Sequence, residues 1–237
     1  MFKVILWDVD GTLLNFDKAE KYALRQCFIK FNLEECTDAM ISRYAEINKR
    51  YWKRLEAGEI TKEQVLLDRF SEFFQKENIC CDHVKEFNAE YQVRLGDKIF
   101  FNDNSKDLLE RLNGRVKQYA VTNGTYIAQK RKLENSGLDV LFDDVFISDQ
   151  IGFEKPDIRF FEYVWKKTGI YDKKDILIVG DSLTSDMQGG NNAGIHCCWY
   201  NPENLENNTT VKIDFLIHDL NEVELLLRDA AGQRLCE

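Results

Sequence analysis

The chain has 237 residues, 44% of them hydrophobic and 31% charged, with a formal net charge of -9. That length can bury one large core, or one core with a smaller appended domain. The acidic balance argues against a nucleic-acid polymer as partner, because such binding draws its affinity from a basic face that neutralises phosphates.

Residues 2–14, FKVILWDVDGTLL, open with an apolar run that stops at two carboxylates, Asp8 and Asp10, followed at once by Gly11. The run is too short for a signal peptide or a membrane span. From 16 to 97 there is no strand signal, and the pattern predicts four or so amphipathic helices. Trp52, Leu55, Val65, Leu66, Arg69, Phe70, Phe73 and Phe74 recur at spacings near three and four, which predicts a helical interior. "AGE" at 57–59 breaks two of these helices. Runs rich in β-branched and aromatic residues at 2–7, 118–122, 144–148, 176–180, 195–200 and 215–217 predict buried strands. Helical patterns separate most of them; one has Pro156 in its first turn and Gly169 as its stop. Alternating strand and helix implies an α/β, Rossmann-like parallel sheet with helices on both faces. The expected organisation is a core of 1–15 and 98–237 carrying an inserted α-helical domain at 16–97.

Seven cysteines include the vicinal pairs Cys80/Cys81 and Cys197/Cys198, with no C-x-x-C and no cysteine-histidine cluster at zinc spacing. They read as free thiols of a reducing, cytoplasmic compartment. No membrane partner is expected.

In an open parallel sheet, ligands bind beyond the carboxyl ends of the strands. The first strand ends in Asp8-Val9-Asp10-Gly11-Thr12, the second in Thr122-Asn123-Gly124, and the fourth in Gly180-Asp181-Ser182 with Asp186 just beyond. Lys155 stands before Pro156 after the third. On an extended segment, side chains two apart point to one side, so Asp8 and Asp10 can face a common ligand. Close carboxylates resist joint ionisation, and a hard divalent cation removes that conflict. Mg²⁺ suits a few carboxylates plus a substrate phosphate, with Asp181 as a third ligand. One carboxylate can then act as nucleophile while its neighbour handles protons. Thr122, the amides around Asn123 and Gly124, and the Lys155 ammonium supply donors for phosphoryl oxygens.

Plainer readings explain less. Asp-Gly is a common hairpin turn, yet a turn accounts for none of the other segments. An EF-hand alignment on Gly11 puts Leu6 at the first ligand position and Asp17 where glutamate is required. A signalling phosphoacceptor module groups Asp, Thr and Lys similarly, but its acids are adjacent and it has no use for a helical insertion. Tyr44, Tyr51 and Trp52 could stack a base, although aromatics at helical spacing more often form core.

Four segments in order, "DVDGT" (8–12), "VTNG" (121–124), "FEKPD" (153–157) and "VGDSLTSD" (179–186), resemble the motifs of the haloacid dehalogenase superfamily of aspartate-nucleophile phosphotransferases. The insertion resembles the small helical cap of that family. The resemblance implies Asp8 as nucleophile and metal ligand, and Asp10 as general acid/base that also offers its carbonyl to Mg²⁺. Asp181 becomes the other carboxylate ligand, Thr122, Asn123 and Lys155 hold the phosphoryl group, and Asp186 supports Lys155 or a metal-bound water. An acid at position 10 favours phosphate esters over carbon-halogen bonds. The cap stretch "RYWKRLEAGEITKEQVLLDRF" (50–70) is similar to bacterial pyrimidine 5'-nucleotidases of the YjjG/YfnB type, with Trp52 and Gly58 as candidate substrate contacts. N-acylneuraminate-9-phosphatases and other sugar phosphatases carry comparable caps. The implied activity is that of a Mg²⁺-dependent phosphatase acting on a small phosphorylated metabolite, with a nucleoside monophosphate first and a sugar phosphate or phosphomutase reaction second. The chain is expected to be a monomer or homodimer.

Overall fold

The computed structural model describes residues 2–80, 82–170 and 172–228. In chain order, β1 (Val4–Trp7) is followed by four helices, α1 (Phe16–Lys30), α2 (Asp38–Glu56), α3 (Lys62–Glu77) and α4 (Val84–Arg94). Next come α5 (Ser105–Leu112), β2 (Lys117–Thr122), α6 (Tyr126–Ser136), β3 (Asp144–Ile147), the single turn α7 (Ser148–Ile151) and α8 (Ile158–Thr168). Then follow β4 (Ile176–Gly180), α9 (Gln188–Ala193), β5 (His196–Tyr200), β6 (Phe215–Ile217) and α10 (Val223–Arg228).

All six strands are parallel, in the order β3-β2-β1-β4-β5-β6. β1 lies between β2 and β4, with Trp7 opposite Ala120 on one side and Val179 on the other. Every residue of β1 is buried, which is why it reads as an unbroken apolar run rather than an alternating one. On one face, Val4, Leu6, Ile176 and Ile178 pack against Phe160, Phe161, Val164 and Trp165 of α8. On the other, the Trp7 indole N–H donates to Gln118 Oε1 at 3.2 Å, and Gln118 Nε2 donates to the Leu109 carbonyl of α5 at 3.0 Å. Strand order reverses between β1 and β4, so the ligand crevice expected of such a sheet opens at the carboxyl ends of these two strands.

Pro156 lies one residue before the α8 N-cap and not in its first turn. Asp157 takes the cap, its carboxylate accepting the Arg159 N–H, because a short acidic side chain satisfies a free helix N–H that proline's ring cannot. Gly169 ends α8 with a φ of 69°, as the sequence pattern predicts. Cys27, Cys36, Cys80, Cys197 and Cys198 are free thiols; Cys81 and Cys236 lie outside the described residues. No helix among the described residues is long and apolar enough to cross a membrane.

The chain divides into two compact units, one of Met1–Asn15, Phe101–Tyr126 and Ser136–Glu237, the other of Phe16–Phe100 and Ile127–Asn135. Most of α6 thus belongs with α1–α4. Arg131 donates to Asp97 at 2.6 Å, Asn135 Nδ2 donates to the Gly96 carbonyl at 2.8 Å, and Ala128 joins the helical core. In sequence α6 looks like any helix between two strands, and nothing in its pattern marks this attachment.

Leu55, Val65, Phe70, Phe73 and Phe74 form the helical interior together with Tyr44 and Tyr51, and half-buried Trp52 packs against it. Gly58 sits exposed in the α2–α3 turn at a φ of 72°. Thr61 and Gln64 then cap α3 reciprocally, a contribution of about 1 kcal/mol. Arg69 is also interior. Its guanidinium donates to Asn48 Oδ1 at 2.7 Å and Asn88 Oδ1 at 3.1 Å, and lies over the Phe70 and Tyr91 rings.

Beside it, Glu20 accepts from Asn48 Nδ2 at 2.6 Å and from the Tyr91 hydroxyl at 3.2 Å. Burial pushes its carboxyl up to about 7, against the pull of Asn48, Arg69 and Tyr91. A raised carboxylate weakens the fold as pH rises from the unfolded value toward the folded one, because the unfolded chain releases its proton first. Between pH 4.5 and 7 the protein therefore loses on the order of 2–3 kcal/mol relative to a Glu20→Gln variant. Urea unfolding of both proteins across this window measures the difference; parallel stability curves would contradict it.

Candidate active site

Asp8 follows β1 directly. Its N–H still bonds the Val179 carbonyl of β4 at 2.9 Å, so strand pairing carries the residue to the carboxyl edge of the sheet with its side chain buried. The chain then turns: Leu14 N–H returns to the Val9 carbonyl at 2.9 Å, and Gly11 N–H bonds the Leu14 carbonyl at 2.8 Å. Gly11 has a φ of 93°, and a Cβ there would sit 2.6 Å from an Asp181 carboxylate oxygen. Glycine is needed at this position for both the left-handed backbone and the approach of Asp181.

Lys155 is fully buried and joins the segments. Its ammonium donates to Asp8 Oδ1 at 2.8 Å, Asp186 Oδ1 at 2.6 Å and the Val121 carbonyl at 2.7 Å, which uses all three of its protons. Burial opposes its charge, but Asp186 and Asp8 together hold its pKa above the ordinary lysine value. Asp186 is carried by a π-helical turn, Leu183–Met187, and its second oxygen accepts the Ser182 N–H at 3.1 Å. Gly180 makes room for it, since a Cβ there would overlap the Asp186 carboxyl group.

Asp8, Asp181 and Asp186 each place a carboxylate oxygen within 4.8 Å of the others. Asp8 Oδ2 is buried with no hydrogen-bond partner among the described residues, an orphaned acceptor of the kind a cation satisfies. Burial, then Asp186 and Asp181, hold the Asp8 carboxyl well above the usual range despite Lys155. Burial and Asp186 likewise push Asp181 up to about 7, opposed by Thr12. An all-oxygen donor set whose acids resist joint ionisation fits a hard divalent cation.

The Asp10 carboxylate stands outside this acidic group. The alternation that would aim it beside Asp8 needs an extended strand, and the strand has already ended in the 9–14 turn. Thr122 is buried at the end of β2, where its hydroxyl accepts the Gly124 N–H at 3.3 Å. Asn123 clasps the Lys155 backbone: its Nδ2 donates to the Lys155 carbonyl and its Oδ1 accepts the Lys155 N–H, both at 2.8 Å. One amide proton and the amide oxygen are thus used in aiming the lysine segment, which leaves the second amide proton as a donor. Trp52 and Gly58 lie in the helical unit.

Sequence reasoning missed two groups that hold Asp181. Thr12 Oγ1 donates to Asp181 Oδ1 at 2.9 Å and accepts the Asp181 N–H at 3.0 Å, while the Trp199 indole donates to the Asp181 carbonyl at 2.9 Å. Thr12 could have been suspected from its place in "DVDGT". Trp199, at the end of an apolar strand, gives no such signal.

Residues 2–194 match the family model described as haloacid dehalogenase-like hydrolase. The chain is 37% identical over 224 residues to the pyrimidine 5'-nucleotidase PynA of Streptococcus pneumoniae, covering 94% of this chain and 93% of that protein. It is 29% identical over 223 residues to the pyrimidine 5'-nucleotidase YjjG of Escherichia coli, covering 94% and 96%. A crystal structure of the putative HAD-hydrolase YfnB of Bacillus subtilis, bound to magnesium, superposes with a TM-score of 0.90 at 34% identity, covering 95% of this chain and 98% of that one.

Proposed function

Because the chain belongs to the haloacid dehalogenase-like hydrolases, we propose that it is a Mg²⁺-dependent phosphatase of pyrimidine nucleoside 5'-monophosphates working through a phosphoryl group on Asp8. The observation that carries the chemistry is the Asp8 carboxylate, with one oxygen fixed by Lys155 and the other buried and unpartnered. That second oxygen is the one available to phosphorus or a cation.

Asp8 and Asp181, with the Asp10 carbonyl, would hold Mg²⁺. When bound, the ion supplies the positive charge that lets the clustered acids ionise together and screens the phosphoryl oxygens. Asp186 is already committed to Lys155 and Ser182 and acts by fixing the lysine. Lys155 in turn orients Asp8 and offsets its charge at the moment of attack. Attack by Asp8 forms the oxygen–phosphorus bond as the ester P–O bond breaks, and Asp10 gives its proton to the departing alkoxide. Asp10 then takes a proton from the water that hydrolyses the acyl phosphate, which returns Asp8 as carboxylate. Thr122 and the amides near Gly124 are the donors for the transferred group.

The nucleotide assignment draws on the PynA and YjjG similarities. Half-buried Trp52 and the turn at Gly58 are the candidates in the helical unit for selecting the leaving group. Phosphate release from UMP, dUMP, TMP, sugar phosphates and phosphoglycolate with Mg²⁺ tests it. Pyrimidine nucleotides are expected to give kcat/KM at least about tenfold above the sugar phosphates, a gap of about 1.4 kcal/mol; a reversed order transfers the assignment to sugar phosphates.

A further inference from the structure

Asn102 lies outside all four motifs, yet its side chain grips the loop that carries Asp10. Its Nδ2 donates to two successive carbonyls, Gly11 at 3.1 Å and Thr12 at 2.9 Å, and its Oδ1 accepts from Asn15 Nδ2 at 3.0 Å. Its backbone N–H bonds the Leu13 carbonyl at 3.1 Å, and Ser105 Oγ donates to that same carbonyl at 2.7 Å. Three consecutive carbonyls after Asp10 are thus held by one short segment. That segment is also where the chain re-enters the sheet-bearing unit, which it leaves after Asn15 and rejoins at Phe101. Leu14 and Phe101 form an antiparallel bridge there.

We infer that Asn102 is a positioning residue that sets the aim of Asp10 as proton donor. The inference rests on the reading of Asp10 as the general acid. Gly11 is the residue next to Asp10, and its left-handed φ of 93° is open to rotation once its carbonyl is released. Loss of this grip leaves the nucleophile and its lysine in place, since neither touches Asn102, and loosens the acid.

The test compares single-turnover release of phenol from phenyl phosphate with release of p-nitrophenol from p-nitrophenyl phosphate, two leaving groups of similar shape of which only the first needs a proton. Asp10→Asn serves as the reference for a missing acid. Asn102→Ala is expected to slow phenol release about tenfold or more and p-nitrophenol release less than about threefold, a smaller copy of the Asp10→Asn pattern. Asn102→Asp keeps the shape should the alanine variant fail to fold. Its carboxylate cannot donate to the carbonyls, while its protonated form restores one donor, so its rate relative to wild type rises as the pH is lowered. Equal slowing of both substrates by either Asn102 variant, with Asp10→Asn still selective, overturns the inference alone. Equal slowing by Asp10→Asn removes the acid role, and the inference falls with it.

Discussion

Asp8→Asn is expected to lower turnover of any phosphate monoester by about 10⁴-fold or more while leaving the metal-free protein at least as stable as wild type. The loss follows from the nucleophile's position: an amide in place of the carboxylate has no anionic oxygen to form the acyl phosphate, and enzymes stripped of a covalent nucleophile lose several orders of magnitude. The preserved fold follows from the burial that holds the Asp8 carboxyl above its ordinary range, with Asp186 and Asp181 adding to it. A neutral amide escapes that penalty and keeps an oxygen for Lys155, whose charge still has Asp186 opposite. Steady-state phosphate release and thermal melting measure the two halves. Acid-quenched mass spectrometry adds a third readout, one phosphoryl group on the wild-type protein and none on the variant. Turnover near the wild-type rate would remove Asp8 from the role.

Lys155→Met has the larger structural effect. Two carboxylates, Asp8 and Asp186, meet at this buried ammonium, and deleting one partner of a buried charge cluster typically costs about 3–5 kcal/mol. The Val121 carbonyl loses its donor as well. Turnover is expected to fall at least about 10³-fold, because Asp8 loses both its orientation and its counter-charge. The destabilisation should be greatest at neutral and alkaline pH and ease as the pH falls, since a proton on Asp8 ends the repulsion. Urea unfolding at pH 5 and pH 8 measures this difference. A stability loss that is independent of pH would show that the lysine acts by packing alone.

Much of this site can be read in the sequence because its key side chains stand at the ends of apolar runs. Asp8 and Asp181 each follow a stretch that is buried throughout, and Thr122 ends one that is buried after Lys117, and a parallel sheet brings such ends to one edge. The inner strands are legible for the same reason, whereas β3 and β6, partly exposed at Asp144 and Leu216, are legible from their β-branched and aromatic residues alone. Asp10 was harder, since period-two alternation holds only while the strand lasts and the chain turns at Val9. Asn123 has the donor and acceptor that suggest a phosphate ligand, and only the fold reveals that the Lys155 backbone takes the amide oxygen and one amide proton. Trp199 and Asn102 act on backbone carbonyls 18 and about 90 residues away. A bond to a carbonyl leaves no trace in the identity of its partner, so no motif could record it.

The attachment of α6 has a practical consequence for grafting specificity from one relative to another. A chimera that exchanges 16–97 as one contiguous cassette would cut Asp97 from Arg131, Gly96 from Asn135, and Ala128 from its core neighbours. A cassette taken with Ile127–Asn135 from the same donor keeps those pairs matched. Transplants of this insertion are therefore expected to need two-piece exchanges, with α6 travelling alongside it despite the helix and strand, α5 and β2, that separate them in the gene.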